Sequence, residues 1–285
     1  MVFTTLISSD ELTQHLADPQ WVIMDCRFAL AEPAAGERAY LQGHIPGARY
    51  AHLERDLSAR VTVDSGRHPL PDKERLAAKL GAWGITSASQ VVVYDDAGGA
   101  MAARLWWLLR WLGHAAVAVL DGGWGQWSKE GRAVSPEVPP PARAVFAVQP
   151  PLVEWISSAE LQDAMLHQTI QVLDARAAER FRGDVEPIDA VAGHVPGAMN
   201  RPLQHNLAAD GRFLPASELR RQFTALLGPI VPQQVVHMCG SGVTACHNLL
   251  AMEHAGLGGT RLYAGSWSEW IRDPSRPAAK GAACS

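Results

Sequence analysis

The turn GHIPGA at residues 43–48 returns as GHVPGA at residues 193–198, and this repetition decides the fold. Upstream of each copy, ISSDEL at residues 7–12 matches ISSAEL at residues 156–161. A repeat this long, used twice, indicates a duplicated domain and not a solenoid, whose units run about 20 to 50 residues. The chain therefore consists of two similar halves.

Further landmarks recur in the same order in both halves. The matched pairs are WVIMDCR and IQVLDAR (residues 21–27 and 170–176), Leu70-Pro71 and Leu214-Pro215, VVVYD and VVHMC (residues 91–95 and 235–239), and DGGWGQW and AGSWSEW (residues 121–127 and 264–270). In the third pair, Asp95 stands where the second half has Cys239. The first half thus keeps the frame and lacks the thiol.

The repeated segments predict alternating strands and helices. Ser8 and Ser157 each stand three residues before a Glu, the spacing of a capping box that opens a helix. Short apolar runs such as 21–27 are typical of buried strands, and segments 72–80 and 216–227 are typical of helices. Each half is predicted to be a small α/β domain with a mostly parallel sheet flanked by helices.

The domain boundary is predicted from a proline-rich stretch. The stretch from Pro136 to Pro151 contains six prolines, which is typical of an extended connector. We therefore expect an inactive domain at residues 1–135, a linker at 136–151 and a catalytic domain at 152–285.

The composition excludes several function classes. With 285 residues, 47% of them hydrophobic and 19% charged, the chain is typical of a globular protein. A net charge of -4 offers no basic surface for nucleic acid, so no nucleic-acid partner is expected. The sequence has no signal segment and no apolar run of the roughly 18 residues that a span requires, so we expect a cytoplasmic location without membrane contact. The four cysteines form no CxxC pair, and we expect neither disulfides, nor a metal site, nor a cofactor.

The loop after the strand at 235–238 carries the predicted chemistry. It reads CGSGVTA over residues 239–245 and leads into a helical segment at 246–252. Gly240 and Gly242 are expected to permit backbone conformations closed to other residues, so that amide N–H groups converge at the helix N-terminus. These amides and the helix dipole favour a thiolate on Cys239, which is the form that attacks sulfur.

These residues resemble the rhodanese superfamily, and the resemblance covers nearly the whole chain. The CGSGVTA loop is more similar to its mercaptopyruvate-using branch than to the CRKGVT-type loop of thiosulfate-using members. The resemblance implies two tandem rhodanese-like domains, the second one active, with sulfur carried as a persulfide on Cys239. The loop residues that it implies are Cys239 and Ser241 as catalytic residues, and Gly240, Gly242, Val243, Thr244 and Ala245 as substrate-binding residues.

The resemblance also implies a substrate-binding arginine, which carries over to Arg180 in DARAAERF. Its guanidinium offers a bidentate fork for an anionic donor. Many mercaptopyruvate enzymes have a second arginine after a Glu-Pro pair, but Ile188 stands there in this chain. We expect 3-mercaptopyruvate as the donor and a thiol or cyanide as the acceptor, with thiosulfate as the alternative donor. Thiosulfate is a dianion and would be helped by a cationic loop. Because Gly240 and Ser241 carry no charge, the loop favours 3-mercaptopyruvate over thiosulfate.

The same residues disfavour two other functions. A cysteine phosphatase needs an arginine six residues after its cysteine, and that position is Ala245. A non-catalytic rhodanese-like binding or sensing module usually lacks the cysteine, which is present here. Cys26, Cys246 and Cys284 are expected to be inert thiols. A further expectation is structural: His44 and His194 should bond backbone, and Asp25–Arg27 and Asp174–Arg176 should pair at strand ends.

Overall fold

The computed structural model describes residues 2–140 and 143–282, which form two compact units. The first unit contains the described residues up to Ala59 together with Pro71–Leu152 and Ala208–Phe213. The second contains Arg60–Leu70, Val153–Leu207 and the described residues from Leu214 onward. Each unit thus includes a short segment that belongs, in sequence, to the other repeat.

The first unit contains a parallel five-stranded sheet. Its strands are β1 (Leu6–Ile7), β2 (Trp21–Asp25), β3 (Arg49–Tyr50), β4 (Gln90–Tyr94) and β5 (Val117–Leu120). They lie in the order β1-β5-β4-β2-β3. The helices are α1 (Ser9–Gln14), α2 (Ala35–Gln42), α3 (Leu53–Asp56), α4 (Lys73–Ala82), α5 (Ala102–Trp111) and α6 (Gly123–Lys129).

The second unit repeats this arrangement. Its strands are β6 (Glu154–Ile156), β7 (Gln171–Asp174), β8 (Met199–Asn200), β9 (Val235–Met238) and β10 (Arg261–Tyr263), in the parallel order β6-β10-β9-β7-β8. Its helices are α7 (Ser158–Leu166), α8 (Ala178–Arg182), α9 (Ala216–Leu227), α10 (Ala245–His254) and α11 (Ser266–Trp270), with 3-10 turns at Leu203–Asn206 and Pro232–Gln234. The predicted α/β class is confirmed.

Local sequence accounts for the helix starts. The Ser8 hydroxyl accepts a hydrogen bond from the Glu11 amide at 3.2 Å, and the Glu11 carboxylate accepts one from the Ser8 amide at 3.1 Å. Ser157 and Glu160 form the same reciprocal pair. Both predicted capping boxes are confirmed, and each satisfies amides that a helix start leaves without an intrahelical partner.

Apolar strands and one tryptophan-rich helix form the core of the first unit. All five residues of β4 are buried. Trp106, Trp107 and Trp111 lie buried on α5. Within the described part of the chain, no helix combines the length and hydropathy needed to cross a bilayer.

The predicted linker lies along the first unit. Its described residues, 136–140 and 143–151, contain neither helix nor strand. The Ala144 amide donates to the Gly81 carbonyl at 3.0 Å, and the Gln149 amide donates to the Leu112 carbonyl at 3.0 Å. Backbone hydrogen bonds therefore fix this segment on the unit that precedes it in sequence.

Sheet topology determines where a ligand can reach the second unit. The chain leaves β7 toward β8 at one edge and leaves β9 toward β10 on the other side. At such a switch point, a crevice opens beyond the carboxyl ends of the two central strands. The loop that begins at Cys239 follows directly on one of them.

Candidate active site

Cys239 lies in the short loop between β9 and α10 and is buried, with 1% of the residue exposed. Gly242 in this loop has φ +75°, and a Cβ atom there would stand 2.2 Å from the Ala264 carbonyl oxygen. Only glycine satisfies both conditions, as the sequence analysis predicted. The tight turn at this glycine lets α10 begin at Ala245.

The first turn of α11 holds the catalytic loop in place. The Cys239 amide donates to the Ser266 hydroxyl at 3.1 Å. The carbonyls of Cys239 and Gly240 accept hydrogen bonds from the amides of Trp267 at 3.0 Å and Ser268 at 2.9 Å. The backbone on both sides of the Cys239 side chain is therefore fixed by hydrogen bonds.

Ser266 adopts a backbone conformation that favours glycine. Its φ is +52°, and at the matched position of the first unit Gly123 has φ +53°. A serine in this region costs about 1 to 3 kcal/mol, and it persists only where its surroundings hold it there. Its hydroxyl does so, because it accepts from the Cys239 amide and donates to the Tyr263 carbonyl at 3.0 Å.

The matched loop of the first unit holds an anion of the protein's own. The Asp95 carboxylate is fully buried and accepts four backbone hydrogen bonds. The donors are the amides of Ala97 (2.8 Å), Gly99 (2.9 Å), Met101 (2.7 Å) and Ala102 (2.8 Å). A strand, loop and helix of this type therefore form a cradle of amides around a negative charge.

The two loops share their anchoring hydrogen bond. The Trp124 amide donates to the Asp95 carbonyl at 2.8 Å, as the Trp267 amide does to the Cys239 carbonyl. Asp95 and Cys239 thus occupy the same position in two copies of one frame. In the first copy a carboxylate fills the place that the thiol has in the second.

Ser241 is hydrogen-bonded to a residue that the sequence analysis missed. His68 Nδ1 lies 2.8 Å from Ser241 Oγ, and both residues are buried. His68 belongs to segment Arg60–Leu70 of the second unit. The repeat contains a sequence signal for the segment around His68. GRH at residues 66–68 and GRF at residues 211–213 both stand shortly before a Leu-Pro pair, so this segment recurs in both halves.

Arg180 lies beside the catalytic loop, held by two buried carboxylates. Its Nη2 donates to Glu186 Oε1 at 2.7 Å and to Asp189 Oδ2 at 3.1 Å. A Cβ atom placed on Gly240 would stand 3.7 Å from Arg180 Nη1. The structure thus brings the predicted arginine and the predicted loop together.

Gly240 serves a different purpose from the predicted one. Its φ lies outside the left-handed region, so the expectation of a special backbone conformation is wrong for this residue. A Cβ atom there would stand 2.8 Å from Nη2 of Arg67. Gly240 therefore leaves room for a guanidinium that the sequence analysis did not assign to the site.

The acids beside the loop have shifted ionisation. Burial opposes the charge on Glu186, but hydrogen bonds from Arg180 and from the amides of Asp189 and Ile188 outweigh burial and lower the pKa of Glu186. Burial raises the pKa of Asp189, and the nearby Glu186 adds to this, although Arg67 and Arg180 attract its charge. The two arginines thus lie against two carboxylates that are themselves hidden from water.

The other predicted loop residues line the start of α10. Val243 and Ala245 are buried, and Thr244, the residue that precedes the helix, is half-buried. The Thr244 hydroxyl makes no capping hydrogen bond to the described helix amides.

The remaining cysteines differ from Cys239 in their surroundings. Burial raises the pKa of Cys26 well above its usual range, and nearby acids add to the effect. Cys246 is buried and its Sγ lies 3.4 Å from the Gly242 carbonyl. Cys284 lies outside the described residues. Within those residues we find neither a disulfide nor a cluster of side chains suited to a metal ion.

The structural expectations for the repeated turns are confirmed. His44 Nδ1 lies 2.8 Å from the Tyr40 carbonyl, and His194 Nδ1 lies 2.7 Å from the Phe181 carbonyl. The predicted pairs Asp25–Arg27 and Asp174–Arg176 form buried ion pairs of 2.6 and 2.7 Å.

Comparisons with known proteins identify a family model and several relatives that match this chain. A model of the rhodanese-like domain matches residues 8–130 and again residues 157–273. A protein of Pseudomonas aeruginosa named probable 3-mercaptopyruvate sulfurtransferase is 51% identical, with 97% of this chain and 98% of that protein covered. A putative thiosulfate sulfurtransferase of Mycobacterium tuberculosis is 42% identical, with coverage of 92% and 91%. The solved 3-mercaptopyruvate sulfurtransferase from Leishmania major is 32% identical, with a TM-score of 0.82 over 95% of this chain and 76% of that one.

Proposed function

We propose a mechanism for this chain from the premise that it belongs to the rhodanese family and is a sulfurtransferase of two tandem rhodanese-like domains. The donor that we assign is 3-mercaptopyruvate, and the acceptor is a thiol or cyanide. The donor assignment is supported by the 51% identical relative, whose name carries that substrate. Cys239 is the residue through which the sulfur passes.

In the first step the Cys239 thiolate attacks the sulfur of the donor. A bond forms between the two sulfur atoms while the carbon–sulfur bond of 3-mercaptopyruvate breaks. The electron pair of that bond remains on carbon as the enolate of pyruvate, which takes up a proton to give pyruvate. The persulfide Cys239–S–SH remains, and it is bound as the anion once its outer sulfur loses its proton.

Ser241 and His68 are suited to the proton transfer of this step. Their side chains are joined at 2.8 Å and buried at the catalytic loop. A hydroxyl that is hydrogen-bonded to an imidazole can donate a proton and recover it from the ring. We assign this role to the pair, with Ser241 next to the substrate.

In the second step the acceptor attacks the outer sulfur of the persulfide. The sulfur–sulfur bond breaks, its electron pair returns to Cys239 as the thiolate, and the acceptor leaves with the sulfur. A thiol acceptor becomes a persulfide and cyanide becomes thiocyanate. Backbone amides of the loop stabilise the charge in both steps.

One observation carries this proposal: Cys239 occupies the position at which the matched loop of the first unit surrounds a carboxylate with four amides. A frame that binds a carboxylate in one copy is suited to a thiolate or a persulfide anion in the other. The guanidiniums of Arg67 and Arg180 lie beside Gly240, and we assign to them the anionic end of the donor.

The test compares two donors on one enzyme preparation. With 3-mercaptopyruvate and a thiol acceptor, we expect stoichiometric release of pyruvate and a higher kcat/KM than with thiosulfate under the same conditions. Cys239→Ser should release no pyruvate, and Cys246→Ser serves as the matched buried-thiol control. A higher kcat/KM for thiosulfate would refute the assigned donor while leaving sulfur transfer intact.

We also assign a role to each half of the chain, the class of its substrates and its location. Residues 1–135 form the inactive domain, 136–151 the linker and 152–285 the catalytic domain, with Asp95 in place of the nucleophile. The substrates are small molecules, the protein acts in the cytoplasm, and no nucleic acid takes part. A purely non-catalytic binding module is set aside because Cys239 is present and the matched relatives are named as enzymes.

A further inference from the structure

We propose that Arg176 does more than pair with Asp174 at a strand end: its buried guanidinium stabilises the negative charge on Cys239, as the thiolate and then as the persulfide. The inference rests on the proposed function, because it concerns the anion through which the sulfur passes. It is carried by the position of Arg176 beside the strand of Cys239, by a buried N–H group without an acceptor, and by a comparison of the two units.

Arg176 leaves the sheet next to the strand that ends at the nucleophile. Asp174, the last residue of β7, lies opposite Met238, the last residue of β9. The Ala175 amide donates to the Met238 carbonyl at 2.9 Å. Cys239 directly follows Met238, so two adjacent parallel strands deliver Arg176 and Cys239 to the same edge of the sheet.

The Arg176 side chain is fixed before any donor binds. Its Nε and Nη2 donate to Asp174 Oδ2 at 3.0 and 2.7 Å, and Nη2 also donates to the Gly193 carbonyl at 2.7 Å. The guanidinium carbon lies 4.9 Å from the centroid of the Trp267 ring. The Trp267 amide in turn bonds the Cys239 carbonyl at 3.0 Å. A cation held in this way needs no reorganisation when negative charge develops near it.

One nitrogen of this guanidinium has no acceptor. Among the described residues, Arg176 Nη1 is buried and makes no hydrogen bond. Glu186 Oε2 lies 3.6 Å from it, which is an ion-pair distance but too long for a hydrogen bond. A buried charged donor in this state is unfavourable. A negative charge on Cys239 would offset part of this cost.

The charges of Arg176 and Cys239 interact. Burial opposes the charge on Arg176, but Asp174 and Glu186 outweigh burial, and the pKa of Arg176 is raised. The Cys239 anion contributes to this rise. Because the attraction between two charges is mutual, the guanidinium favours the anionic form of the sulfur to the same extent.

The first unit places the equivalent arginine beside a fixed acid. Arg27 pairs with Asp25 through Nε and Nη2, and its guanidinium carbon lies 4.3 Å from the centroid of the Trp124 ring. Burial and the neighbouring Asp95 raise the pKa of Asp96, and Arg27 counteracts this rise. In this copy of the frame, the arginine therefore acts on a carboxylate of the loop.

The second unit has no acid at the matched position of its loop. Gly240 directly follows Cys239, as Asp96 directly follows Asp95. The loop CGSGVTA at residues 239–245 contains no carboxylate. The anion that this loop offers to Arg176 is therefore the sulfur of Cys239.

The other cations near the loop are more exposed to water. The side chains of Arg67 and Arg180 are 24% and 17% exposed, whereas that of Arg176 is 1% exposed, so water screens the charge of Arg176 least. Burial lowers the pKa of His237, on the strand that leads to Cys239, to about 3, so its ring is neutral. Further ionisable groups on the surrounding elements are Asp174 on β7, Cys246 and His247 on α10, Tyr263 on β10, Glu269 on α11, Glu186 and Asp189 after α8, and His68 in segment Arg60–Leu70.

The test measures the ionisation of Cys239 without any donor. A thiolate absorbs in the ultraviolet where a thiol does not, so the absorbance of each protein minus that of the same protein with Cys239→Ser, followed against pH, gives the midpoint for this sulfur alone. Arg176→Met removes the charge, and the midpoint should rise by about one pH unit, since an opposite charge is lost. Arg176→Lys keeps the charge and loses the fork, and its midpoint should stay within about half a unit of the wild type.

A second variant breaks the same ion pair from its other side. Asp174→Asn keeps the shape and removes the charge that neutralises the guanidinium, so the midpoint should fall. Loss of a purely structural pair would shift both variants in the same direction or shift neither. Arg27→Met and Asp25→Asn are the matched controls, because they break the equivalent buried pair in the first unit, and neither should move the midpoint of Cys239.

The double variant Arg176→Met/Asp174→Asn isolates the charge of Arg176 and leaves no unpaired carboxylate in the interior, so it also serves if Arg176→Met alone does not fold. Its midpoint should lie about one pH unit above that of Asp174→Asn. Equal midpoints in these two proteins, or shifts of the same sign in Arg176→Met and Asp174→Asn, would overturn the inference. The titration contains no donor, so its result is separate from the proposed function, which fails if the wild type forms no persulfide from 3-mercaptopyruvate.

Discussion

Ser266 combines a strained backbone with a hydrogen bond to the nucleophile, and two substitutions separate these properties. Ser266→Ala removes the hydroxyl and keeps φ in the left-handed region. Ser266→Gly removes the hydroxyl and relieves the strain, as in the first unit, where Gly123 has φ +53°. The stabilities of the two variants therefore differ by the strain, less the extra conformational entropy that glycine loses on folding.

The expected magnitudes follow from the contacts. Without the hydroxyl, the buried Cys239 amide loses its acceptor at 3.1 Å, which costs about 1 to 3 kcal/mol. The left-handed conformation costs a residue with a Cβ atom roughly 1 to 2 kcal/mol more than glycine. Relative to the wild type, Ser266→Ala should thus lose only the acceptor, about 1 to 3 kcal/mol, because the wild type already carries the strain. Ser266→Gly should be about 1 to 2 kcal/mol more stable than Ser266→Ala.

The assay pairs urea unfolding with the rate of sulfur uptake from 3-mercaptopyruvate. Both variants should lose about tenfold in kcat with little change in KM, because a small displacement of the nucleophile affects the attack and not the guanidiniums. Ser158→Ala is the control, since its buried hydroxyl bonds Tyr263 at 2.7 Å and the Glu269 carboxylate, whereas the acceptor of the Cys239 amide is Ser266. Equal stability of the two Ser266 variants would refute the strain argument. Wild-type kcat in both would refute the positioning role.

Three further predictions concern other parts of the molecule. Arg180→Ala should lower kcat/KM for 3-mercaptopyruvate by roughly ten- to a hundredfold in steady-state assays, and unchanged kinetics would remove Arg180 from the site. Asp95→Cys should take up no sulfur in intact-mass analysis, because its loop AGGA at residues 97–100 lacks hydroxyls; uptake equal to that at Cys239 would contradict this. Burial lowers the pKa of His237 to about 3, so the unfolded chain binds a proton between pH 6.5 and 3 that the folded chain does not, and stability falls as pH falls. Between pH 7 and pH 5, the free energy of unfolding measured in urea should fall by about 2 kcal/mol less in His237→Leu than in the wild type. Equal losses in the two proteins would contradict the burial of a neutral ring.

The elements that the sequence predicted well are set by local interactions. The capping boxes at Ser8 and Ser157 depend on residues three apart, and helix α9 has the bounds predicted from its apolar pattern. Gly242 was interpreted correctly because a tight turn between a strand and a helix demands a left-handed residue. Such features are visible in a short window of sequence.

The missed residues depend on contacts between distant segments. His68 meets Ser241 across 173 positions, and Arg67 meets Asp189 across 122. No spacing rule connects such positions, and only the fold brings Arg60–Leu70 to the second unit. For the same reason the sequence assigned Gly240 a backbone role, whereas its lack of a side chain makes room for Arg67.

The most direct test of the account is the intact mass of the protein after brief treatment with 3-mercaptopyruvate in the absence of acceptor. We expect one added sulfur atom on the wild type and on Cys246→Ser, located on the peptide that contains Cys239, and removed again by cyanide. Cys239→Ser should show no added sulfur. Sulfur retained by Cys239→Ser, or found on Cys26 or Cys246 in the wild type, would contradict the claim that Cys239 carries the sulfur.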